Sequence, residues 1–450
     1  MKNSGFFRKF TAGITAILTC FSMLSVASYA DEIIYGDVNC DGVVTALDLM
    51  NMKEYLIGKK TLTDEQKTNS DMNSDLSVNI IDLVLLKQAF IESSITSENI
   101  IKLKGDTIVS SGKGITVDGT NVTINSSGVY KIEGTMTTDA VITVLTSAED
   151  LGDVEITLKD VSMTNSTDTP CIMVENAEKT KITFEGENTF VNTYDTATAE
   201  SSVFYAKDDI TFTKNSTGTL KINTNACMAI YCNNDINFNG GAIDIKTDSD
   251  GSGLAESDAV KAKGDIEFKG AEISVNTEGD GIKSTKKAVI VNDGSISVKS
   301  GKDALQGETA VIIAGGSVVA SGDRGITSVG TLDISGGTVF ATATDNQSSY
   351  AVSNFAQPVL AVDFSGEHVK LEKFQLIPSS GAESTLTFTS KKKYNYVLVS
   401  DEAFKRGEKY HICIDSYYCV TDNGVTVVDA VFDATENFVH ITNVCTEGPA

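Results

Sequence analysis

Oxygen-bearing side chains recur at the same spacing in two segments near the start of this 450-residue chain. In each segment, Asp, Asn or Thr stands at positions 1, 3, 5, 9 and 12 of a loop. The residues are Asp37, Asn39, Asp41, Thr45 and Asp48 in the first loop and Asp71, Asn73, Asp75, Asn79 and Asp82 in the second. Ca²⁺ takes six to eight oxygen ligands, and this spacing supplies them. The two loops are therefore predicted to bind calcium.

Each loop is followed by apolar residues at helical spacing, which predicts an amphipathic helix that positions the last ligand. Gly42 permits the sharp turn at position 6 of the first loop. Leu76 stands at that position in the second loop, so we expect a weaker second site. A chance acidic loop would not recur with a matching helix.

Residues 31–95 resemble a type I dockerin, an α-helical module of paired EF-hand-like loops in cellulosomal proteins. The resemblance implies a cohesin partner on a scaffoldin or cell-surface protein. It also implies the recognition residues Ala46, Leu47, Lys53, Ile80, Ile81 and Lys87. Four of the six are apolar, so we expect a hydrophobic patch to drive docking. The two lysines either form its polar rim or are ordinary solvated side chains.

A repeat of short strands occupies residues 100–360. Its coils are marked by the inward-facing residues Ile172, Phe204, Ile230, Val260, Ile282, Leu305 and Ile326. From Val260 onward these residues are 21 to 23 apart, whereas the earlier coils are longer. This regularity predicts a mainly β fold, a right-handed parallel β-helix whose coils stack about 4.8 Å apart. A β-sandwich would not give equal coil lengths. Residues 361–450 lack the period and predict a β-rich C-terminal cap over the exposed strand edge.

The repeat predicts a column of carboxylates. Asp258, Asp280 and Asp303 hold one position in consecutive coils, and Asp323 holds it with one residue inserted. Stacked carboxylates repel unless they are protonated or bridged by cations, so these four are predicted to bind Ca²⁺. The alternative is that each Asp only forms its own turn.

A solvent-facing row is predicted beside that column. Tyr205, Tyr231, Lys261 and Lys283 occupy one position per coil. Aromatic faces and cations in a line suit an extended sugar chain, and the alternative is an ordinary outer β face.

The Asp-Ala-Val-Lys, Asp-Gly-Ile-Lys and Asp-Ala-Leu-Gln turns resemble a carbohydrate-binding β-helix family of cellulosomal clostridia, which is similar in fold to pectate lyases. The resemblance implies binding to cellulose or to pectin (polygalacturonate), and calcium at the acidic turns. One alternative is a calcium-dependent pectate lyase with Lys261 or Lys283 as the base. Hydrolysis by paired carboxylates and a purely structural β-helix also stay open.

Charge and the N-terminal segment narrow the function classes. The chain has 61 acidic and 36 basic residues and a net charge of −25, which argues against a nucleic-acid partner. Residues 1–30 combine a basic start with a short apolar run, which predicts a signal peptide. No later stretch is long and apolar enough for a membrane span. The predicted location is therefore extracellular, in a cellulosome or at the cell surface.

Overall fold

A computed structural model describes residues 34–41, 44–94, 98–150, 152–196, 200–248, 258–344, 351–352, 355–381, 386–422 and 427–446. The predicted signal peptide, Gly42 and the side chain of Ala46 lie outside the described residues. The chain divides into two compact units, Met1–Ser97 and Glu98–Ala450. The described part is mainly β, with three helices in the first unit, and none of those helices is long and apolar enough to cross a bilayer.

The helices of the first unit are α1 (Ala46–Leu56), α2 (Asp64–Ser70) and α3 (Ile80–Ser94). Thr45 caps α1: its hydroxyl accepts from the Leu47 backbone N–H, while its own N–H donates to the Asp48 carboxylate. A small core holds the unit together through Val38, Met52, Leu62 and Leu86. The cap therefore places Asp48, the last predicted ligand of the first loop, at the start of a helix.

Short strands make up the second unit. In its described part, the strands up to residue 352 are β1 (Asn99–Gly105), β2 (Thr107–Ser111), β3 (Ile115–Asp118), β4 (Asn121–Ile124), β5 (Gly128–Met136), β6 (Val141–Leu145), β7 (Val154–Asn165), β8 (Ile172–Asn176), β9 (Thr180–Glu185), β10 (Glu187–Asn192), β11 (Ser202–Ala206), β12 (Ile210–Phe212), β13 (Thr219–Thr224), β14 (Met228–Cys232), β15 (Ile236–Phe238), β16 (Ala242–Thr247), β17 (Val260–Ala262), β18 (Ile266–Thr277), β19 (Ile282–Ser284), β20 (Ala288–Lys299), β21 (Asp303–Gly307), β22 (Ala310–Ile313), β23 (Ser317–Gly322), β24 (Arg324–Ser328), β25 (Thr331–Ile334), β26 (Thr338–Ala343) and β27 (Ala351–Val352). The remaining strands are β28 (Val359–His368), β29 (Lys373–Pro378), β30 (Leu386–Thr389), β31 (Tyr394–Ser400), β32 (Lys409–Ile414), β33 (Tyr417–Asp422), β34 (Val427–Asp429), β35 (Val431–Asp433) and β36 (Phe438–Thr446).

Strands of successive coils pair in parallel and form three ladders. The first ladder contains β4, β6, β8, β11, β14, β17, β19, β21 and β24. The second contains β9, β12, β15, β22 and β25 with the first halves of β18 and β20. The third contains β10, β13, β16, β23 and β26 with the second halves of β7, β18 and β20. From β8 to β26, each coil therefore contributes one segment to every ladder.

The inward side chains pack in register between coils. The residues expected to point inward, from Ile172 to Ile326, are paired across the first ladder and buried. In the second ladder the rings of Phe212, Phe238 and Phe268 stack, with centroids 5.1 and 4.9 Å apart. Strand alternation sends the next residue outward, so equivalent outer positions also stack.

The C-terminal strands cover one edge of the ladders. β31 pairs antiparallel with both β26 and β28, and β28 pairs in parallel with β36. A second core lies here and includes Phe340, Phe374, Tyr394 and Phe432. The pairing of β31 with β26 protects backbone groups that would otherwise be an exposed strand edge.

Candidate functional site

The first predicted calcium loop is organised by its own carboxylates. The Asp41 backbone N–H donates to Asp37 Oδ1 at 3.1 Å. The Asn39 N–H donates to Asp48 Oδ1 at 3.0 Å, and the Thr45 N–H donates to Asp48 Oδ2 at 2.7 Å. The side chains at positions 1 and 12 thus anchor the turn from both ends.

The second loop repeats this geometry. The Asp75 N–H donates to Asp71 Oδ1 at 3.1 Å, and the Asn79 N–H donates to Asp82 Oδ2 at 2.8 Å. The Asn73 N–H lies 3.4 Å from Asp82 Oδ1. The two copies of the motif therefore fold alike, as their common spacing predicts.

Both loops carry acidic groups that water does not reach. Asp37 is 2% exposed, Asp71 is 7% exposed, and Asp48 and Asp82 are fully buried. Within the described residues, neither Asp48 nor Asp82 forms an ion pair with a lysine or arginine. Buried carboxylates are normally paired or bound to a metal, and the donor set of Asp, Asn and Thr oxygens suits a hard cation. Across the part of the chain that is described, however, no three His, Cys, Asp or Glu side chains gather closely enough to hold a metal ion.

Leu76 adopts a conformation that disfavours any residue with a Cβ. Its φ is +66°, and its side chain is 96% exposed. Its backbone N–H donates to Asp71 Oδ2 at 2.7 Å, which holds it in this conformation. The left-handed region costs a residue with a side chain about 1–2 kcal/mol relative to glycine.

We expect Leu76→Gly to stabilise the first unit by about 0.5–1 kcal/mol, because relief of this strain exceeds the extra chain entropy of glycine. Urea unfolding of the full chain, followed by its helical circular dichroism, measures the change. Leu76→Ala is the matched control, since it removes the exposed side chain but keeps the Cβ. Equal effects of the two substitutions would contradict the strain explanation.

The predicted docking residues form exposed helix faces. Leu47 is 47% exposed, Ile80 is 63% exposed and Ile81 is 53% exposed, while Lys53 and Lys87 are also exposed. Two further apolar residues lie on these faces and were not predicted: Met50 and Val84, at 49% and 55% exposure. Each stands three residues after Leu47 or Ile81, so helical spacing was the available signal.

Asp258, Asp280 and Asp303 stack across three coils, and we call them the Asp column. The Asp280 backbone N–H donates to Asp258 Oδ1 at 2.9 Å, and the Asp303 N–H donates to Asp280 Oδ1 at 3.0 Å. Their second oxygens face lysines of their own coils: Lys261 Nζ lies 3.3 Å from Asp258 Oδ2, and Lys283 Nζ lies 2.6 Å from Asp280 Oδ2. Asp258 and Asp280 therefore each bind a backbone N–H of the next coil and a lysine of their own coil.

Arg324 ends the Asp column. Its guanidinium binds Asp303 through two hydrogen bonds of 2.6 and 2.7 Å, and the two residues are strand partners. Asp323, predicted as the fourth member, is not brought to the column. Its carboxylate is 56% exposed and lies 3.1 Å from Lys392 Nζ. Three carboxylates thus meet three basic side chains, and calcium at the column stays a prediction.

Burial and mutual repulsion shape the protonation of the column. Burial, followed by the charge of Asp280, raises the pKa of Asp258. Burial also raises the pKa of Asp303, although Arg324 opposes the rise. Burial disfavours the charged form of Lys283, but its hydrogen bond to Asp280 and the charges of Asp280 and Asp258 outweigh burial, so the pKa of Lys283 lies above its usual value. A base must lose its proton, so this environment works against Lys283 in the lyase alternative.

The predicted sugar-binding row is aligned, but its members differ in exposure. Tyr205, Tyr231, Lys261 and Lys283 are successive strand partners in the first ladder. Tyr205 and the two lysines are partly exposed, whereas Tyr231 is only 3% exposed. The row is therefore not solvent-facing along its whole length.

Neighbouring side chains explain the burial of Tyr231. The Tyr205 ring lies 5.8 Å away, and Lys263 Nζ lies 5.7 Å from the centroid of Tyr231. Asn233 Nδ2 donates to the Tyr205 hydroxyl, and the Tyr231 hydroxyl donates to Asn233 Oδ1, both at 3.1 Å. Asn233 and Lys263 were not predicted, although each follows a row position by two residues and so points to the same side.

A second stack of carboxylates, formed by Asp209, Asp235 and Asp265, was not predicted. The Asp235 N–H donates to Asp209 Oδ1 at 3.1 Å, and the Asp265 N–H donates to Asp235 Oδ1 at 2.7 Å. Lys287 Nζ lies 3.1 Å from Asp235 Oδ1 and 3.6 Å from Asp265 Oδ2. In this stack and in the Asp column, a carboxylate accepts a hydrogen bond from the backbone of the next coil, and a basic side chain lies at the end of the stack. This arrangement favours a structural role for stacked Asp in this fold.

The stacked parallel strands and the duplicated loop–helix motif define a mainly β protein with a small helical module. Residues 35–91 match the type I dockerin domain, and residues 118–356 match a family model described as carbohydrate-binding domain-containing protein. The second match covers more than half of the chain, which therefore belongs to this family of carbohydrate-binding domain-containing proteins. Both resemblances drawn from the sequence are confirmed. A type I dockerin implies calcium binding, a cohesin partner and association with an extracellular cellulosome.

One similar solved structure is that of the polysaccharide lyase-like protein from C. thermocellum, determined as a gadolinium derivative. It is 24% identical to this chain, with a TM-score of 0.44, and the match covers 53% of this chain and 99% of that one. A search of curated proteins found no matching relative.

Proposed function

We propose that this protein is secreted, docks to a cohesin through a calcium-loaded dockerin at residues 31–95, and binds plant cell-wall polysaccharide. In this proposal residues 1–30 are a signal peptide, residues 100–360 form a right-handed parallel β-helix, and residues 361–450 cap it. The polysaccharide is pectin or cellulose. The coil spacing of 21 to 23 residues and the parallel register of the ladders support the β-helix.

The docking half of the proposal rests on the duplicated loops. Calcium would be held by the predicted loop oxygens and would supply the positive charge that buried Asp48 and Asp82 lack. The ion would keep the turn before α1 and α3 in place, so that the apolar residues at the start of each helix face a cohesin together.

The sugar-binding half rests on one observation, the register of the row. Strand partners from Tyr205 to Lys283 place two aromatic rings and two cations along a line that crosses four coils. An extended polymer can contact such a line repeatedly. Tyr205 offers its partly exposed ring to a sugar face, while Lys261 and Lys283, which are ion-paired with Asp258 and Asp280, offer ammonium N–H donors.

We expect the full chain to be retained by polygalacturonate or cellulose without cutting either. Pull-down with calcium or with chelator measures retention, and absorbance of unsaturated product measures lyase activity. Tyr205→Ala should weaken retention about tenfold, which corresponds to about 1.4 kcal/mol. Tyr417→Ala is the matched control, because Tyr417 is an exposed tyrosine on β33.

Each outcome separates the candidate functions. Unsaturated product would replace the binding proposal with the lyase alternative. Retention by neither polysaccharide would leave a structural role for the coils.

A further inference from the structure

The Asp column carries its own counter-charges. Lys283 Nζ lies 2.6 Å from Asp280 Oδ2, and the two side chains are only 24% and 8% exposed. At the C-terminal end of the column, the Arg324 guanidinium holds both oxygens of Asp303. Lys261 is the third basic residue, on the first coil of the column. Three carboxylates and three basic side chains therefore leave the column without net charge.

Calcium fits this arrangement poorly, although the resemblance to the β-helix family implies it at these turns. In Asp258 and Asp280, one oxygen accepts a backbone N–H of the next coil and the other faces an ammonium group. Calcium binds oxygens at about 2.3–2.6 Å, so an ion on the second oxygen would lie within about 6 Å of that ammonium group, and the two positive charges would repel. The oxygens of the column therefore suit the basic side chains of the chain better than calcium.

The dockerin loops differ from the column in this respect. Asp48 and Asp82 are fully buried, and in the part of the chain that the structure describes neither is ion-paired with a lysine or arginine. Buried carboxylates are normally paired or bound to a metal. Of the two arrangements, the loops therefore leave negative charge for calcium to neutralise, whereas the column does not.

The second stack of carboxylates has the same kind of counter-charge. Asp235 and Asp265 lie on successive coils, and the Asp265 N–H donates to Asp235 Oδ1 at 2.7 Å. Lys287 Nζ lies 3.1 Å from Asp235 Oδ1 and 3.6 Å from Asp265 Oδ2. A lysine thus occupies the place between two carboxylates at which a bridging cation would bind. Both stacks of the coils therefore use basic side chains of the chain itself.

We propose that calcium controls the docking of this protein but not the structure of its coils. In the Asp column, Lys261, Lys283 and Arg324 supply the positive charge that calcium supplies in the loops. The coils therefore keep their structure when calcium is removed. A chain that leaves its cohesin in chelator then stays on its polysaccharide. This last consequence rests on the proposed function, whereas the role of the basic side chains does not.

Thermal unfolding of the full chain, with calcium and with chelator, tests the coils. Circular dichroism of the β structure gives the midpoint, and the measurement needs neither a cohesin nor a polysaccharide, so it stands even if the proposed function fails. An ion that binds the folded state raises the midpoint, and we therefore expect the two midpoints to agree within about 1 °C. A larger difference would overturn the proposal.

A lysine variant tests the counter-charge itself. Lys283→Gln should lower the midpoint in chelator by about 5 °C or more, because it leaves a buried carboxylate without its partner. Lys181→Gln is the matched control: Lys181 is ion-paired with Asp153 and Glu155, which are 32% and 49% exposed, so its loss should lower the midpoint by less than about 2 °C. A Lys283 variant that unfolds at the midpoint of the Lys181 variant would overturn the role of the lysine in the column.

Discussion

Arg324→Met is expected to destabilise the second unit by about 3 kcal/mol. The Asp303 carboxylate is only 3% exposed, and the Arg324 guanidinium holds both of its oxygens. Removing one partner of a buried pair leaves an uncompensated charge, which typically costs 3–5 kcal/mol. Arg324 itself is 37% exposed, so water can partly solvate the Asp303 carboxylate in the variant. We therefore expect a loss of stability at the lower end of this range. Urea unfolding followed by tyrosine fluorescence measures the change, since the chain has no tryptophan.

The penalty should depend on pH in a defined direction. Burial already raises the pKa of Asp303 in the folded protein, and loss of Arg324 raises it further. The folded variant therefore holds a proton more tightly than the unfolded chain, whose Asp pKa is about 3.9. The free energy of unfolding of the variant therefore falls as the pH rises from about 3.9 through the raised pKa of Asp303. Its difference from wild type is smallest in acid and reaches its full size once the pH is above the raised pKa.

Two further variants isolate the cause. Adding Asp303→Asn to Arg324→Met should restore most of the lost stability, because the buried charge is gone. Lys392→Met is the matched control: its partner Asp323 is 56% exposed, so water can solvate the carboxylate and the loss should stay below about 1 kcal/mol. A loss for Arg324→Met no larger than that of Lys392→Met would contradict the buried-pair account.

Replacing both Leu47 and Ile81 with Asp is expected to weaken cohesin binding at least a hundredfold. Both side chains are about half exposed at the start of α1 and α3, where they can contact a cohesin surface. Apolar anchors at the centre of an interface often contribute 2 kcal/mol or more, and 1.4 kcal/mol corresponds to a factor of ten. Surface plasmon resonance on an immobilised type I cohesin, in calcium, measures the change.

Ile57→Asp supplies the comparison for this docking face. Ile57 is 57% exposed but lies at the end of α1, away from the loop. Its substitution should change cohesin affinity less than threefold. Chelator should abolish binding of the wild type, because the loops then lose the charge that compensates Asp48 and Asp82. An Ile57 variant as weak as the Leu47 and Ile81 variant would mean that binding depends on general apolar exposure.

The fold of the two loops was predictable because the predicted ligands of each loop lie within one short segment. Local spacing alone sets which oxygens approach each other, and the helix cap at Thr45 follows from the adjacent residues. The inward positions of the coils were equally predictable from the sequence, since alternation and apolar character identify them without knowledge of distant neighbours.

The charge environment of the column was not predictable in the same way. The sequence pattern brought Asp258, Asp280 and Asp303 together, but one inserted residue exchanged Asp323 for Arg324 at the next position. A shift of one residue turns a side chain to the other face of a strand. The predicted repulsion between the three carboxylates is offset by Lys261, Lys283 and Arg324, rather than by a bound cation alone being required.

Amino-acid order by itself determined the dockerin loops, the helices that follow them and the coil period, because these depend on residues close in sequence or on alternation along one strand. Only the tertiary structure decided that Tyr231 is buried and that Arg324 closes the Asp column. Those properties depend on side chains from neighbouring coils and on which surfaces water can reach, and neither is encoded at a fixed spacing along the chain.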